Sequence, residues 1–153
     1  MIAVIQRVSR ASVTVDVENV ATIGQGLVVL VGVRGGDSTD DAKYLADKTA
    51  NLRIFSDPAG KFNLSALDLA AEILVVSQFT LLGETRRGRR PSFTDAAAPD
   101  EAEPLLQELV QTLRDTGLSV STGRFQQHMQ VEIHNDGPVT IVLDTEERLR
   151  PRH

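Results

Sequence analysis

Apolar residues recur along most of the chain in patterns that are typical of β-strands. The stretch IAVIQRVSRASVTVDVE (2–18) is rich in valine and partly alternating, which predicts a strand with a break near Ser9–Ala11. Continuous apolar runs predict two strands that are buried on both faces, GLVVLVGV (26–33) and EILVVSQFTL (72–81). The last two predicted strands are MQVEIHN (129–135) and VTIVLD (139–144).

Two segments instead repeat their apolar residues at helical spacing. A stripe of small and apolar side chains runs along 37–52, where Ser38 followed by Asp41 resembles a capping box. In the second segment, 99–119, leucine and valine form the stripe and acidic residues occupy the first turn. Gly117 predicts the end of that helix.

Turn-forming residues punctuate the strands and set the expected fold class. DPAG (57–60) predicts a hairpin, and NDGP (135–138) predicts a turn between the last two strands. We therefore expect one α+β domain over 1–145, in which a mixed sheet curls into a barrel-like layer against two main helices. A charged tail, 146–153, follows, and the end of the chain (TEERLRPRH) is expected to fray.

Composition narrows the chemistry. The chain has 153 residues and no cysteine, which excludes disulfides, thiolate metal ligands and cysteine nucleophiles. No apolar run reaches the roughly 20 residues of a membrane span. The N-terminal MIAVIQRV lacks the charged segment and cleavage site of a signal peptide. We expect a soluble cytoplasmic protein.

The charge is distributed unevenly. The formal net charge is −5, which disfavours non-specific coating of nucleic acid. One short segment, ETRRGRRPSF, nevertheless holds four arginines: Arg86, Arg87, Arg89 and Arg90. This cluster could bind one short segment of RNA, or it could be an ordinary solvated loop.

Standard catalytic motifs are absent from the sequence. It has no Gly-x-Ser-x-Gly elbow, no P-loop and no His-Glu-x-x-His, and its three histidines, His128, His134 and His153, predict neither a base nor a metal site. The unusual segment is SQFT (77–80), which puts three hydrogen-bonding side chains at the end of a buried strand. Either these groups line a pocket or the strand end simply meets solvent.

SQFT together with NDGPVT (135–140) resembles the D-aminoacyl-tRNA deacylases, also called D-tyrosyl-tRNA deacylases. The segments MIAVIQRV, LRIFSD, RRGRRPSF, TGRFQQHMQV and GPVTIVLD extend the resemblance over nearly the whole chain. It implies a homodimeric enzyme with no metal and no cofactor. Such an enzyme hydrolyses the ester between a D-amino acid and the 3′-terminal adenosine of tRNA. We expect it to hydrolyse glycyl-tRNA as well, because glycine has no side chain to reject.

The resemblance also implies a role for the NDGPVT segment. In this family the Gly137–Pro138 peptide is cis and enters the pocket of the partner subunit. Its bare carbonyl oxygens would accept hydrogen bonds from the substrate ammonium group, and the loop would collide with an L-side chain. Selectivity would then come from rejecting the wrong hand. By the same resemblance, Arg7 helps to hold this loop.

The remaining site residues follow from the resemblance in the same way. Backbone N–H groups near Phe79 and Thr80 would stabilise the oxyanion, while Ser77 and Gln78 orient substrate or support the pocket. The pocket walls would be Phe125 and Met129. The acceptor-stem phosphates would meet the four arginines of 86–90, and Phe93 would pack near the terminal adenine.

Two alternatives remain open at this level. A non-catalytic nucleic-acid-binding module on the same fold would use the arginine cluster and would need neither Thr80 nor the Gly-Pro pair. A hydrolase of small D-amino acid esters would instead ignore RNA.

Overall fold

The structure is a computed structural model that describes residues 1–152, so His153 at the end of the predicted tail lies outside the described residues. Within residues 1–152, eight strands and three helices form one mixed α+β domain, as predicted. In chain order the elements are β1 (Ile2–Val15), β2 (Glu18–Ile23), β3 (Gly26–Gly32), α1 (Thr39–Asn51), β4 (Phe55–Ser56), β5 (Phe62–Leu64), α2 (Ala66–Leu69), β6 (Glu72–Ser77), α3 (Pro99–Asp115), β7 (Ser119–Thr122) and β8 (Gln130–Asp144).

The main sheet is built around β1. Its strand order is β2-β1-β3-β6-β7, and β8 also pairs with β1. The pairs that β1 makes are antiparallel, whereas β3-β6 and β6-β7 are parallel. The first half of β1 pairs with β3 and its second half with β2, so one strand serves two neighbours in succession. This change of partner curls the sheet into the expected barrel-like layer.

The predicted break near Ser9–Ala11 is wrong, because β1 continues through it as strand. Ser9 and Arg10 are exposed there, and they lie between the pairing with β3, which ends at Val8, and the pairing with β2, which begins at Ala11. The polar residues therefore mark a change of partner in an unbroken strand.

Apolar side chains pack on both faces of the curled sheet. One cluster joins the sheet to α1 and α3 and includes Ile5, Leu45 and Leu109, all fully buried. A second cluster lies on the other face and includes Val8, Val28 and Leu74. Burying each such side chain stabilises the fold by about 1.5–3 kcal/mol before the entropy of ordering is counted. Continuous apolar strands are needed because both faces of β3 and β6 are covered.

The helices begin and end for the reasons visible in the sequence. The Asp41 carboxylate accepts a hydrogen bond from the Ser38 backbone N–H at 2.9 Å, which confirms the capping box of α1. Helix α3 has Pro99 in its first turn and ends just before Gly117, which adopts a φ of +97°. No helix within residues 1–152 is long and apolar enough to cross a membrane.

Several sequence-based boundaries need correction. The strand predicted over 72–81 ends at Ser77, and Phe79–Leu82 form a 3₁₀ turn instead. The short strands β2 and β7 and the one-turn helix α2 were not predicted. The hairpin at 57–60 is confirmed, since β4 and β5 pair across it.

The segment NDGP does not reverse the chain direction. The two strands predicted on either side of it are one strand, β8, which pairs antiparallel with β1 before and after the segment. Residues 136–139 fall between the pairs Val8–Asn135 and Gln6–Thr140, so they form a bulge. The turn-forming residues let β8 leave its hydrogen-bonded pairing with β1 and then rejoin it.

The chain after β8 is ordered through Leu149, so the expectation that it frays is wrong for this part. Thr145–Leu149 form a 3₁₀ turn, and Thr145 is fully buried. Arg34 donates two hydrogen bonds to the Asp144 carboxylate, at 2.8 and 2.7 Å. The Arg148 guanidinium lies 3.3 Å from an Asp41 carboxylate oxygen. These ion pairs tie the segment to the body of the domain.

Replacing Asp144 by Asn should lower the free energy of unfolding at pH 7 by about 1–3 kcal/mol, because an amide cannot accept both charged hydrogen bonds from Arg34. The hydrogen bond from Arg34 holds the pKa of Asp144 below its ordinary value of 3.8. A carboxylate with a depressed folded pKa stabilises the fold above its unfolded pKa, and this contribution is lost as the pH falls through the folded value.

The difference between wild type and Asp144→Asn should therefore shrink as the pH is lowered below about 4. Urea unfolding at pH 7 and pH 3 measures it, with the exposed Glu147→Gln in the same segment as the control. An equal difference at both pH values would contradict the assignment of this ion pair.

Candidate active site

A cavity of about 680 Å³ opens where β6 ends. Its walls come from three separate parts of the chain: the end of β6 with the 3₁₀ turn, the segment leading into α3, and the loop before β8. The residues that the sequence singled out in this lining are Ser77, Gln78, Phe79, Phe93, Phe125 and Met129. The polar end of β6 therefore opens into a pocket. His128, to which the sequence gave no role, also lies in the lining.

The end of β6 presents free backbone donors. The Gln78 N–H bonds to the Val31 carbonyl at 2.7 Å, which is the last link to β3. The first hydrogen bond of the following 3₁₀ turn runs from the Leu81 N–H to the Gln78 carbonyl. Within the described residues, the N–H groups of Phe79 and Thr80 donate to no backbone oxygen. Two neighbouring amide donors are thus available where the strand gives way to the turn.

The side chains of the turn are held by their neighbours. The Gln78 amide donates to the Thr80 hydroxyl oxygen, so this hydroxyl is bonded to an amide rather than to a base. The Phe79 ring is 56% exposed and packs edge-on against Phe93, with ring centroids 5.1 Å apart. A nucleophilic hydroxyl needs a base within reach to take its proton. This geometry disfavours Thr80 as a nucleophile.

The far wall of the cavity is fixed by a glycine and a sulfur contact. The Met129 sulfur accepts a hydrogen bond from the Arg124 backbone N–H at 3.3 Å. A side chain at Gly123 would come within 2.6 Å of the same sulfur, so only glycine leaves Met129 in place. A second cavity of about 400 Å³ along α3 shares Ser77, Phe125 and Met129 with the first, so these residues separate two spaces.

The four arginines lie on a closed loop that leads to the cavity. Glu84 and Ser92 exchange backbone hydrogen bonds of 2.7 and 2.9 Å at its base, and Gly88 has a φ of +68°. The backbone and side-chain N–H groups of Arg86 bond to the Glu84 carboxylate and hold its pKa below the usual value. The side chains of Arg87, Arg89 and Arg90 are exposed. Phe93 follows directly and lines the cavity.

The Gly137–Pro138 peptide is cis and exposed, and it lies away from the cavity of its own chain. Its bulge lies beside Arg7 of β1, whereas Ser77 is level with Ala3 through Val31. Four residues along a strand span about 13 Å, and β1 and β3 also lie between the two features. One chain therefore does not bring SQFT and Gly-Pro together.

Arg7 contacts the Gly-Pro bulge directly. Its side chain is 12% exposed, and its Nε donates to the Asp136 carbonyl at 3.2 Å. One terminal nitrogen donates to the Ile54 carbonyl at 2.9 Å, and the guanidinium lies 5.5 Å from the centre of the Phe62 ring. A side chain at Gly137, where φ is +122°, would come within 2.9 Å of the other terminal nitrogen.

Sequence reasoning missed one residue of this loop. Asn135 counted only as a turn former, yet its side-chain amide donates to the carbonyls of Arg7 and Val139. The sequence does carry a signal for this role, because Asn135 stands directly before a segment that leaves the strand. An amide side chain at such a place can donate the hydrogen bonds that the interrupted backbone no longer provides. The described residues contain no cluster of three or more His, Asp or Glu side chains that could hold a metal ion.

A cavity at a strand end, with two free backbone amides in the adjoining 3₁₀ turn of this mixed sheet, defines a candidate enzyme active site. A family model described as D-Tyr-tRNA(Tyr) deacylase matches residues 4–144. The chain belongs to this D-aminoacyl-tRNA deacylase family.

Named relatives agree over nearly their full length. The chain is 59% identical over 152 residues to a D-aminoacyl-tRNA deacylase of Dehalococcoides mccartyi, covering 99% of each chain. It is 58% identical over 153 residues to one of Roseiflexus sp., covering 100% of this chain and 99% of the relative.

Two solved structures share the fold. A protein titled c-Myc DNA Unwinding Element Binding Protein is 42% identical, with a TM-score of 0.88 over 94% of this chain and 98% of that one. A probable eukaryotic D-amino acid tRNA deacylase has a TM-score of 0.79 at 18% identity, over 93% of this chain and 97% of that one. The second likeness bears on the fold alone.

Replacing Gly32 by Ala should disturb the 3₁₀ turn that carries the free donors. The new methyl group would lie 2.3 Å from a Leu82 methyl carbon and 3.2 Å from the Gln78 carbonyl oxygen. Overpacking of this kind destabilises by about 1–3 kcal/mol. Chemical denaturation and hydrogen exchange at residues 78–83 measure the effect.

Gly35→Ala is the matched control, because nothing lies within 4 Å of a methyl group at that position. Equal behaviour of the two variants would show that β3 does not hold the turn through this contact.

Proposed function

We propose that the chain hydrolyses the ester bond of D-aminoacyl-tRNA and releases the free D-amino acid and tRNA. The observation that carries this proposal is the pair of free N–H groups at Phe79 and Thr80, in a turn whose Phe79 lines a cavity, in a member of the deacylase family. Ester hydrolysis passes through a tetrahedral oxyanion, and two preorganised amide donors are the groups that stabilise it.

The chemical step needs only water and positioning. A water oxygen bonds to the ester carbon while the carbonyl oxygen, now negative, accepts from the two N–H groups. The carbonyl then re-forms as the bond from carbon to the 3′-oxygen of the terminal adenosine breaks, and a proton of the attacking water passes to that oxygen. We assign assistance in this proton transfer to the neighbouring 2′-hydroxyl of the ribose. The Gln78–Thr80 hydrogen bond supports this non-covalent route, since the Thr80 hydroxyl oxygen accepts from an amide rather than donating to a base.

Selection of the D-hand is assigned to Gly137–Pro138 of a partner subunit. The distance between this loop and the cavity of its own chain supports a cross-subunit arrangement, and the exposure of the loop leaves it free to enter another copy. Carbonyl oxygens of the loop would hold the substrate ammonium group, and the loop would exclude an L-side chain. Sedimentation should show a dimer at assay concentrations, and a fully active monomer would contradict the arrangement.

The arginine loop is assigned to the acceptor stem. Its exposed guanidiniums suit phosphate contacts, and Phe93 joins the loop to the cavity where the terminal adenine would lie. Phe125 and Met129 would wall the same space. The contacts proposed here make affinity dependent on salt, because phosphate binding releases counterions.

A nucleic-acid-binding module without catalysis is the second candidate. It is favoured by the 42% identical relative whose title names DNA binding. One assay separates it from the deacylase and from a small-ester hydrolase: incubation with D-tyrosyl-tRNA, L-tyrosyl-tRNA and a free D-tyrosine ester. The deacylase should cleave only the first. If none of the three is cleaved while RNA still binds, the binding module is favoured. If the free D-tyrosine ester is cleaved as fast as the tRNA ester, the small-ester hydrolase is favoured.

Thr80→Ala should slow hydrolysis by roughly 10²–10³-fold at most, through disturbance of the oxyanion donors. Rapid quench and mass spectrometry should find no aminoacyl adduct on the wild-type protein. Thr22→Ala is the control, since the Thr22 hydroxyl also bonds to an amide side chain, that of Asn19, on a remote strand. An adduct on Thr80 would restore it as the nucleophile.

Glycyl-tRNA should be hydrolysed appreciably while L-alanyl-tRNA is not, because a filter that rejects L-side chains finds nothing to reject in glycine. A methyl group in a soft apolar pocket changes binding by only about 1–3 kcal/mol. A methyl group driven into a fixed loop should cost more, because the loop cannot retreat without breaking its ammonium contacts. Deacylation of glycyl-, L-alanyl- and D-alanyl-tRNA at equal enzyme concentration measures this, and similar rates for the two alanyl esters would exclude steric rejection.

A further inference from the structure

The bulge in β8 interrupts a long antiparallel ladder. Gln6 pairs with Thr140 and Val8 pairs with Asn135. Between these two pairs β1 has one residue and β8 has four, 136–139. Extra residues in one strand disrupt the ladder locally, and backbone groups near them must find other partners. Pro138, inside the bulge, has no N–H to offer.

The side chain of Asn135 bridges this interruption. Its Nδ2 donates to the Arg7 carbonyl at 3.1 Å and to the Val139 carbonyl at 3.0 Å. A side-chain amide has two N–H donors, so both are used. One acceptor lies on β1 and the other, Val139, is the last residue of the bulge in β8. The amide thus closes the bulge at its base and fastens it to the neighbouring strand.

We propose that Asn135 is a positioning residue that sets the place of the Gly137–Pro138 loop and thereby the discrimination between D- and L-substrates. This inference rests on the proposed function. Asn135 does not touch the cavity. It acts through Val139 and Arg7, which flank the exposed pair.

Arg7 completes the fixation from the opposite side. Its carbonyl accepts from Asn135, while its side chain donates to the Asp136 carbonyl at 3.2 Å. The Ile54 carbonyl accepts from the same guanidinium and fixes it in turn. The tip is therefore held at 136 by the Arg7 side chain and at 139 by Asn135, which also donates to the Arg7 carbonyl. A tip held at both ends presents its carbonyl oxygens at fixed points.

Loss of the bridge should affect selection more than the chemical step. The N–H groups of Phe79 and Thr80 lie in the 3₁₀ turn after β6, which Asn135 does not contact. A looser tip can yield to an L-side chain, so the rate on the L-ester rises relative to the rate on the D-ester. General damage to the fold would lower both rates together.

The experiment compares Asn135→Asp and Asn135→Ala with Asn51→Asp. Asparagine to aspartate keeps the shape and removes both donors, and the alanine variant does so without adding charge. Asn51 is the matched control, because its exposed amide also donates to two oxygens, the carbonyl and side chain of Asp47, at 2.9 and 3.2 Å on α1. Asn135→Ser, which keeps one donor, replaces any variant that fails to fold.

Two quantities are measured: the ratio of kcat/KM for D- and L-tyrosyl-tRNA, and amide hydrogen exchange over residues 136–140. We expect the ratio to fall by about tenfold or more in both Asn135 variants, with faster exchange, while Asn51→Asp leaves both at wild-type values. A wild-type ratio in both Asn135 variants, whatever their absolute rates, would overturn the proposal. An inactive wild-type protein would contradict the proposed function instead, and faster exchange at 136–140 would then still support the positioning role.

Discussion

The antiparallel pairing of β1 with β8 is the constraint on which the rest of the structure depends. It joins residues more than a hundred positions apart, from Ile2 opposite Asp144 to Thr14 opposite Gln130. Because β1 also pairs with β2 and β3, this single strand links both cores to the end of the chain. The interruption of the same ladder beside Arg7 creates the exposed Gly137–Pro138 pair. Sheet stability and loop position thus derive from one set of hydrogen bonds.

Elements that carry their own signal were predictable from the sequence. The continuous apolar runs of β3 and β6 and the capped stripe of α1 express local chemistry, and the structure confirms them. The strands β2 and β7 were missed because they are short and gain stability from neighbours distant in sequence. The NDGP segment shows the limit most clearly. Its residues indicate that the chain leaves the strand. Whether the chain then reverses direction or rejoins the same strand depends on the register with β1, and a local sequence pattern does not determine that register.

The candidate site was also predictable from the sequence only in part. The polar residues that end β6 suggested a pocket, yet they were equally compatible with a strand end in solvent. The pocket exists because its other walls come from distant parts of the chain: Phe93 directly follows the arginine loop, and Phe125 and Met129 lie in the segment before β8. Their approach depends on tertiary packing, such as the close approach of Gly123 to Met129, where a side chain would displace the sulfur. Asn135 escaped notice for a related reason, since its partners become neighbours only once β8 is paired.

Backbone groups carry both the chemical step and the chiral selection of the proposed reaction. This determines how substitutions can alter the activity. The proposed oxyanion donors are N–H groups of a 3₁₀ turn, and the groups proposed to discriminate D- from L-substrates are carbonyls of a bulge. Side chains such as Gln78, Asn135 and Arg7 serve to hold those backbone segments in place. Substitutions can therefore leave every reacting atom present and still alter the outcome by letting one segment move. Because the two segments belong to different strands, and in the proposed dimer to different subunits, rate and selectivity become separately adjustable properties of one fold.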